Sequence, residues 1–301
     1  MSTKSETPRR PSARTISNDM TAIWAGGVLT AYLVITGIIL AVGASRLDAS
    51  ALPLHGALLS VVVACTWWKR VPAWLRNWMP VVAIPILYVE APNVIAAAGH
   101  LAMRDPEILR IELALFGGNP AADFARTWPS RILSELLHAC YLSYYAIVIS
   151  MPLLLQYSRR GRDYSRAVFA LLLTFTTCFM IYAVYPVEGP RYRGGADAPD
   201  GPICAATLWL LENGSSRGTA FPSSHVAVAV AQSIVAIYFF GARGAWLALL
   251  TLGLALGAVY GGFHYAIDAV AGAVLGTVTA AFALYVSADR APTQANATEP
   301  T

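Results

Sequence analysis

The sequence predicts an all-α fold, a polytopic membrane helical bundle of about eight transmembrane helices. Three observations lead there: an excess of apolar residues, unbroken apolar runs of spanning length, and basic clusters placed between alternate runs. Of the 301 residues, 56% are hydrophobic and only 13% charged, whereas soluble domains carry about a quarter charged residues. A run of roughly 20 apolar residues crosses a ~30 Å hydrocarbon layer as helix. Helix is the form required, because backbone groups facing lipid must be satisfied within their own segment. The runs are continuous, without the ten-residue alternation of a membrane barrel.

The runs lie near residues 21–45, 50–68, 78–99, 133–156, 167–187, 222–241, 245–262 and 265–287. Between them sit Lys69, Arg70 and Arg76, then Arg159, Arg160, Arg162 and Arg166, then Arg243, with Arg290 after the last. With a cytoplasmic N-terminus, 13 of the 21 basic residues fall inside, as the positive-inside rule asks. The net charge of +4 therefore reads as topology, not as a nucleic-acid footprint. Residues 1–20 carry Lys4, Arg9, Arg10 and Arg14 and precede no cleavage pattern, so the expectation is a disordered cytoplasmic tail, with a second at 288–301. Residues 21–99 form an N-terminal group of transmembrane helices, and 100–287 a second membrane domain.

Two extramembrane segments stand out. Residues 188–221 carry Gly and Pro around a short amphipathic WLLEN stretch, which predicts ordered surface. Residues 100–132 mix charge with LALFGG and are expected along the interface, where Trp128 also belongs. The cysteines at 65, 140, 178 and 204 show no CxxC spacing, and three lie in spans, which disfavours disulfides and a zinc site. Gly253, Gly257 and Gly261, then Gly272 and Gly276, recur at four-residue spacing on one helix face, a pattern for close packing. They are expected to stiffen the junction between the last two spans.

Chemistry gathers at three short motifs. In HYAID, His264 and Asp268 are four residues apart, so on a helix they share a face. The carboxylate can then accept the proton of one imidazole nitrogen and leave the other free to attack. In FPSSH, residues 221–225, Pro222 with Ser223 and Ser224 suits a helix start. Such an end also favours phosphate, and His225 there can protonate a leaving oxygen. In GPRYR, Arg191 offers forked donors for phosphate oxygens. The topology brings Arg191, His225 and His264 out on one side of the membrane.

With PSSH at 222–225, HYAID followed by Gly272, and the segment 115–145 in place, the chain resembles the type 2 phosphatidic acid phosphatase superfamily. Within it the likeness is to the inositol phosphorylceramide synthase-like branch, over roughly residues 103–285. The resemblance implies a six-helix phosphatase-type core. It implies a phosphohistidine on His264, oriented by Asp268, with His225 as general acid and with Ser223, Ser224 and nearby amides on phosphate oxygens. It implies a lipid phosphate substrate in the bilayer and no cofactor. The chain departs from the hydrolase pattern at Ser224 in place of glycine, at Ala258 in place of arginine, and at Val184 in place of lysine. Tyr192 follows Arg191 where proline is usual. Arg193 and Arg217 are candidate replacements for the missing cations, and the losses favour transfer over hydrolysis. Phosphatase and phosphotransferase both fit, acting at the extracytoplasmic face of the plasma membrane.

Glu90, beside Pro92, is a candidate headgroup contact or a partner for a nearby hydroxyl or for His138, while Tyr141, Tyr144 and Tyr145 fit interfacial anchoring. A metal-dependent membrane hydrolase with His225, His264 and Asp268 as ligands is the alternative enzyme. A transporter is the third class, opposed by the absence of an evident inverted repeat.

Overall fold

A computed structural model describes residues 13–99, 102–194 and 197–288, with side chains from residue 23 onward. Among these the fold is all-helical: α1 (Ala13–Val42), α2 (Ala51–Trp67), α3 (Ala73–Ala97), α4 (Asp105–Phe116), α5 (Pro120–Thr127), α6 (Arg131–Leu142), α7 (Tyr144–Tyr157), α8 (Gly161–Val184), α9 (Pro202–Gly214), α10 (Ser224–Phe240), α11 (Ala245–Tyr260) and α12 (Ala266–Val286). The eight apolar runs are all helical. Six stretches are long and apolar enough to cross a membrane, and one of them, Ser224–Tyr260, is the α10–α11 hairpin. This is a multi-pass membrane protein. The tail expected at 1–20 lies outside the described residues up to residue 12. From Ala13 onward the expected tail is instead helix, part of α1. Of the second tail, only residue 288 is described.

α8 lies at the centre, and α1, α3, α7, α10 and α12 pack around it. Leu171, Phe175, Cys178, Phe179 and Tyr182 of α8 are buried in the main core. Arg166, expected in an inner loop, is instead buried within α8. It donates to the Leu284 carbonyl at 3.3 Å, the Ser287 hydroxyl at 3.1 Å and the Tyr238 hydroxyl at 3.1 Å. A cation is favoured there because the carbonyls ending α12 carry partial negative charge. Together these contacts hold the ends of α10 and α12 at the pole opposite the site described below.

The spaced glycines do allow close packing, but not between the last two helices. Gly253 and Gly257 set α11 against Cys140 and the Leu137 carbonyl of α6, and Gly272 and Gly276 set α12 against Ser223 and Ala227 of the α10 segment. A Cβ on Gly276 would overlap the Ala227 carbonyl, which is backbone and cannot rotate away. Gly276→Val is expected to destabilise by about 1–3 kcal/mol through overpacking, read as a lower Tm in detergent. Gly27→Ala, with open space at its Cβ, is the control that leaves Tm unchanged or higher.

Where described, the segments 100–132 and 188–221 are partly helical, with α4 and α5 in the first and α9 in the second. α4 exposes Ile111, Leu113, Leu115 and Phe116 and buries Asp105 and Glu112 completely. Its acidic face turns inward because bare amides of neighbouring turns need acceptors there, and its apolar face is left exposed. The WLLEN stretch is part of the 13-residue α9, whose first turn is capped from α6 by Glu135, accepting from the Ile203 and Cys204 amides at 3.0 Å each.

Candidate active site

α10 and α12 both begin at one pole of the bundle, so their N-terminal amides and partial positive charges converge there. Ser223 is the N-cap of α10; its hydroxyl accepts from the Val226 amide at 3.3 Å and its own amide donates to the Asp268 carbonyl at 3.0 Å. That bond joins the two helix starts. His225 then falls in the first turn of α10, between the rings of Tyr141, at 5.3 Å, and Tyr144, at 4.1 Å.

His264 sits just before α12, at 5.7 Å between ring centroids from His225. Its Nδ1 lies 3.0 Å from the Ala220 carbonyl oxygen. A carbonyl can only accept, so Nδ1 carries the proton and Nε2 keeps its lone pair. The expectation that Asp268 takes this proton from the same helix face is corrected. α12 starts at Ala266, so His264 is not on the helix, and Asp268 Oδ2 is 3.7 Å from Nδ1, beyond hydrogen-bond range. Asp268 Oδ2 instead accepts from the Tyr265 amide at 2.8 Å, closing the first turn. Asp268 is itself fully buried beside the imidazole.

Arg191 lies on a short turn after α8. Residues 187 and 219–220 bridge there, with the Ala220 amide donating to the Val187 carbonyl at 2.9 Å. This bridge draws the arginine turn to the carbonyl that orients His264. Arg191 Nη1 donates to the Ser215 hydroxyl at 2.8 Å. Arg191, His225 and His264 line one small cavity, of about 40 Å³, together with Tyr88, Tyr141, Tyr192 and Phe263.

Three groups that are distant in sequence and chemically matched to a phosphate thus share one cavity, and the PAP2 superfamily pattern matches residues 106–282, more than half of the chain. The chain belongs to the PAP2 superfamily. Neither a curated protein nor a solved structure matches it. The family segment runs from α4 to α12, so α1–α3 lie outside it. Even so, α3 reaches the PAP2 cavity: the Tyr88 hydroxyl accepts from the Ser216 amide at 3.2 Å, and the Ser216 hydroxyl donates to the Tyr88 carbonyl at 3.1 Å.

Other candidates are placed differently from expectation. Ser223 and Ser224 do not line the cavity and are buried; the Ser223 hydroxyl is used as the cap, and the Ser224 amide donates to Tyr182 at 3.2 Å. Arg193 is held by Asp105, 3.4 Å away, outside the cavity lining. Arg217 pairs with Glu188 at 3.3 Å and lies over the Tyr192 ring at 4.8 Å, so it meets the rim only through those two lining residues. Each arginine follows the acid nearest its turn, which sequence distance conceals. Arg191 is the one cation among the lining residues. At the two positions where the hydrolase pattern has a cation, Val184 is exposed, and the Ala258 carbonyl accepts from the Phe263 and His264 amides.

Glu90 pairs with His55 at 2.7 Å inside the N-terminal helices, and not with His138. His55 in turn reaches the Leu33 carbonyl at 2.8 Å, a partner supplied by helix packing alone. His138 bonds the Ser134 carbonyl at 2.7 Å and packs behind Phe263. Of the tyrosines expected to anchor at the interface, Tyr141 and Tyr144 face His225, and Tyr145 is the exposed one.

Sequence reasoning missed Asp105 and Glu112. Glu112 Oε1 accepts from the Ile267 amide at 2.6 Å, and burial pushes its carboxyl above the usual carboxylate range. Asp105 accepts from the Glu188 amide at 3.0 Å, the Gly189 amide at 2.9 Å and the Tyr265 hydroxyl at 3.1 Å. Burial, followed by the charge of Asp105, pushes the Tyr265 hydroxyl up, so it stays protonated and donates. The available signal was their seven-residue spacing on a short helix, which puts two acids on one face.

Proposed function

We propose that this PAP2 protein is a lipid phosphatase or lipid phosphotransferase that works through a phosphohistidine on His264. The observation that carries the proposal is the Nδ1 bond to the Ala220 carbonyl, which leaves a bare Nε2 in a cavity shared with a guanidinium and a second imidazole. Nε2 attacks phosphorus, the P–N bond forms and the P–O bond to the leaving alkoxide breaks, while His225 gives that oxygen a proton. Water or an acceptor alcohol then attacks the phosphohistidine, His225 takes the proton of the incoming hydroxyl, and the P–N bond breaks. Arg191 and the two helix N-termini face the charge that grows on the phosphoryl oxygens. Such donors are fixed before reaction, and this kind of electrostatic stabilisation is usually the largest catalytic contribution. Asp268 stabilises the ring as it becomes positive.

The lipid nature of the substrate is supported by the bundle, whose cavity opens at one pole of a membrane-spanning fold. The basic clusters between alternate spans support an extracytoplasmic site with both termini cytoplasmic, and the location proposed with it is the plasma membrane. The missing hydrolase cations, at Val184 and Ala258, favour an alcohol acceptor over water.

The test is mass spectrometry of lipids incubated with purified protein, in chelator, with and without free inositol. The expected result is headgroup turnover that survives chelation, stops with vanadate, and yields a new phosphodiester when the acceptor is present. Activity lost in chelator and restored by zinc would favour the metal-dependent reading. Solute counterflow without turnover would favour transport.

A further inference from the structure

We propose that Asp105 is a positioning residue that sets the distance between the phosphate-binding arginine and the nucleophilic histidine; this rests on the function proposed above. Asp105 belongs to none of the motifs that carry the chemistry. Yet its carboxylate is fully buried at the start of α4 and collects three hydrogen-bond donors and one ion pair from two separate turns. From the arginine turn come the Glu188 and Gly189 amides, at 3.0 and 2.9 Å, and Arg193 Nε at 3.4 Å. From the histidine turn comes the Tyr265 hydroxyl, at 3.1 Å. Gly189 is two residues before Arg191, and Tyr265 is the residue after His264.

A buried carboxylate persists only when hydrogen bonds and a counter-charge replace its water. Here those replacements are the two turns that hold the phosphate site. Gly189 makes the linkage stiff. Its φ is +94°, which other residues rarely adopt, and a Cβ there would press on the Ala220 side chain at 3.0 Å and the Phe263 carbonyl at 3.2 Å. Ala220 supplies the carbonyl that orients the His264 ring, and Phe263 precedes it. A circuit therefore closes from Asp105 through Gly189 to Ala220 and Phe263, then through His264 and Tyr265 back to Asp105. Two turns along the same face from Asp105, Glu112 fixes the start of α12 through the Ile267 amide. α4 is thus the brace against which both reacting turns are set.

Asparagine is nearly the same shape as aspartate but presents an NH2 where one carboxylate oxygen accepted. Asp105→Asn therefore turns a donor toward a donor at this junction and removes the charge that holds Arg193. A shift of about 1 Å between binding and reacting groups can cost on the order of 100-fold in rate.

The experiment uses the full-length protein in detergent. It reads two quantities: turnover of a lipid phosphate, and the vanadate concentration that half-protects His264 from diethyl pyrocarbonate, followed by peptide mass spectrometry. Asp105→Asn is expected to lower kcat by about 10- to 100-fold. Its vanadate midpoint should rise by a similar factor, with KM changed far less. Tyr265→Phe removes one arm of the linkage and should give a smaller change in the same direction. The double variant should be no worse than Asp105→Asn alone, because both act through one linkage. Arg110→Gln, an exposed residue one turn further along α4 whose guanidinium bonds the Pro106 carbonyl of its own helix, should leave both readouts unchanged, which separates positioning from the general charge of that helix.

If the wild-type protein shows neither turnover nor vanadate protection, the proposed function fails. If wild type is protected and Asp105→Asn matches it, the positioning role is overturned. Should Asp105→Asn not fold, a Tyr265→Phe protein with wild-type vanadate midpoint and kcat overturns it equally.

Discussion

Replacing His264 by alanine is expected to reduce lipid-headgroup turnover by about 10⁵-fold or more, the scale at which loss of a nucleophile acts in a coordinated site. Among the groups lining the cavity, the imidazole Nε2 is the strongest neutral nucleophile, and His225, the other imidazole, is stacked on Tyr141 and packed against a tilted Tyr144 ring. The fold should tolerate the change. The Ala220 carbonyl, freed of its donor, faces a cavity that water can enter, so Tm in detergent should move by only a few degrees. The decisive measurement uses a lipid labelled in its phosphate: wild type should carry acid-labile, base-stable label on His264, and His264→Ala none. Undiminished label in the variant would refute the nucleophile assignment.

The second large effect is expected at His225. Its removal takes away the proton donor for the leaving group and the base for the second attack, and general acid–base catalysis is worth roughly 10²–10⁴-fold. The two half-reactions should respond unequally. With a lipid whose leaving group is intrinsically good, phosphorylation of His264 needs little proton help, whereas attack by water or alcohol still lacks its base. His225→Ala should then accumulate labelled His264, and the loss in turnover should be larger for poor leaving groups. An equal loss for good and poor leaving groups, with no trapped label, would remove His225 from the acid–base role and leave it a packing partner of the two tyrosines.

Much of this architecture is legible in the sequence because membrane spans follow a local rule. Apolar runs of fixed length must be helical, and α1–α3, α6–α8 and α10–α12 sit where those runs predict. The cap at Ser223 is local too, since a serine three residues before a free amide needs no distant partner. Gly272 and Gly276 announce a close helix contact, although not which helix would press on them. The motifs also bring together the right trio of Arg191, His225 and His264, because each stands at a span end and alternate ends share a side.

The remaining contacts depend on partners distant in sequence. Asp268 looks like the acceptor for His264 because four-residue spacing suggests a shared helix face. The helix begins two residues too late for that, and the acceptor is a backbone carbonyl 44 residues away. Arg193 and Arg217 look like spare phosphate cations, yet Asp105 and Glu188 claim them. Glu90 looks poised for a headgroup until α2 presents His55 to it.

From its residues alone, this protein was bound to be a helical membrane bundle with two imidazoles and a guanidinium at one pole, since hydrophobic length and the order of motifs act within each segment. Which atom orients each group was settled only when the helices packed, because a buried donor bonds whatever acceptor packing brings near. α4 is the clearest instance: in sequence it is a short charged stretch at the interface, and in the folded chain its two buried acids hold the turns on which the chemistry stands.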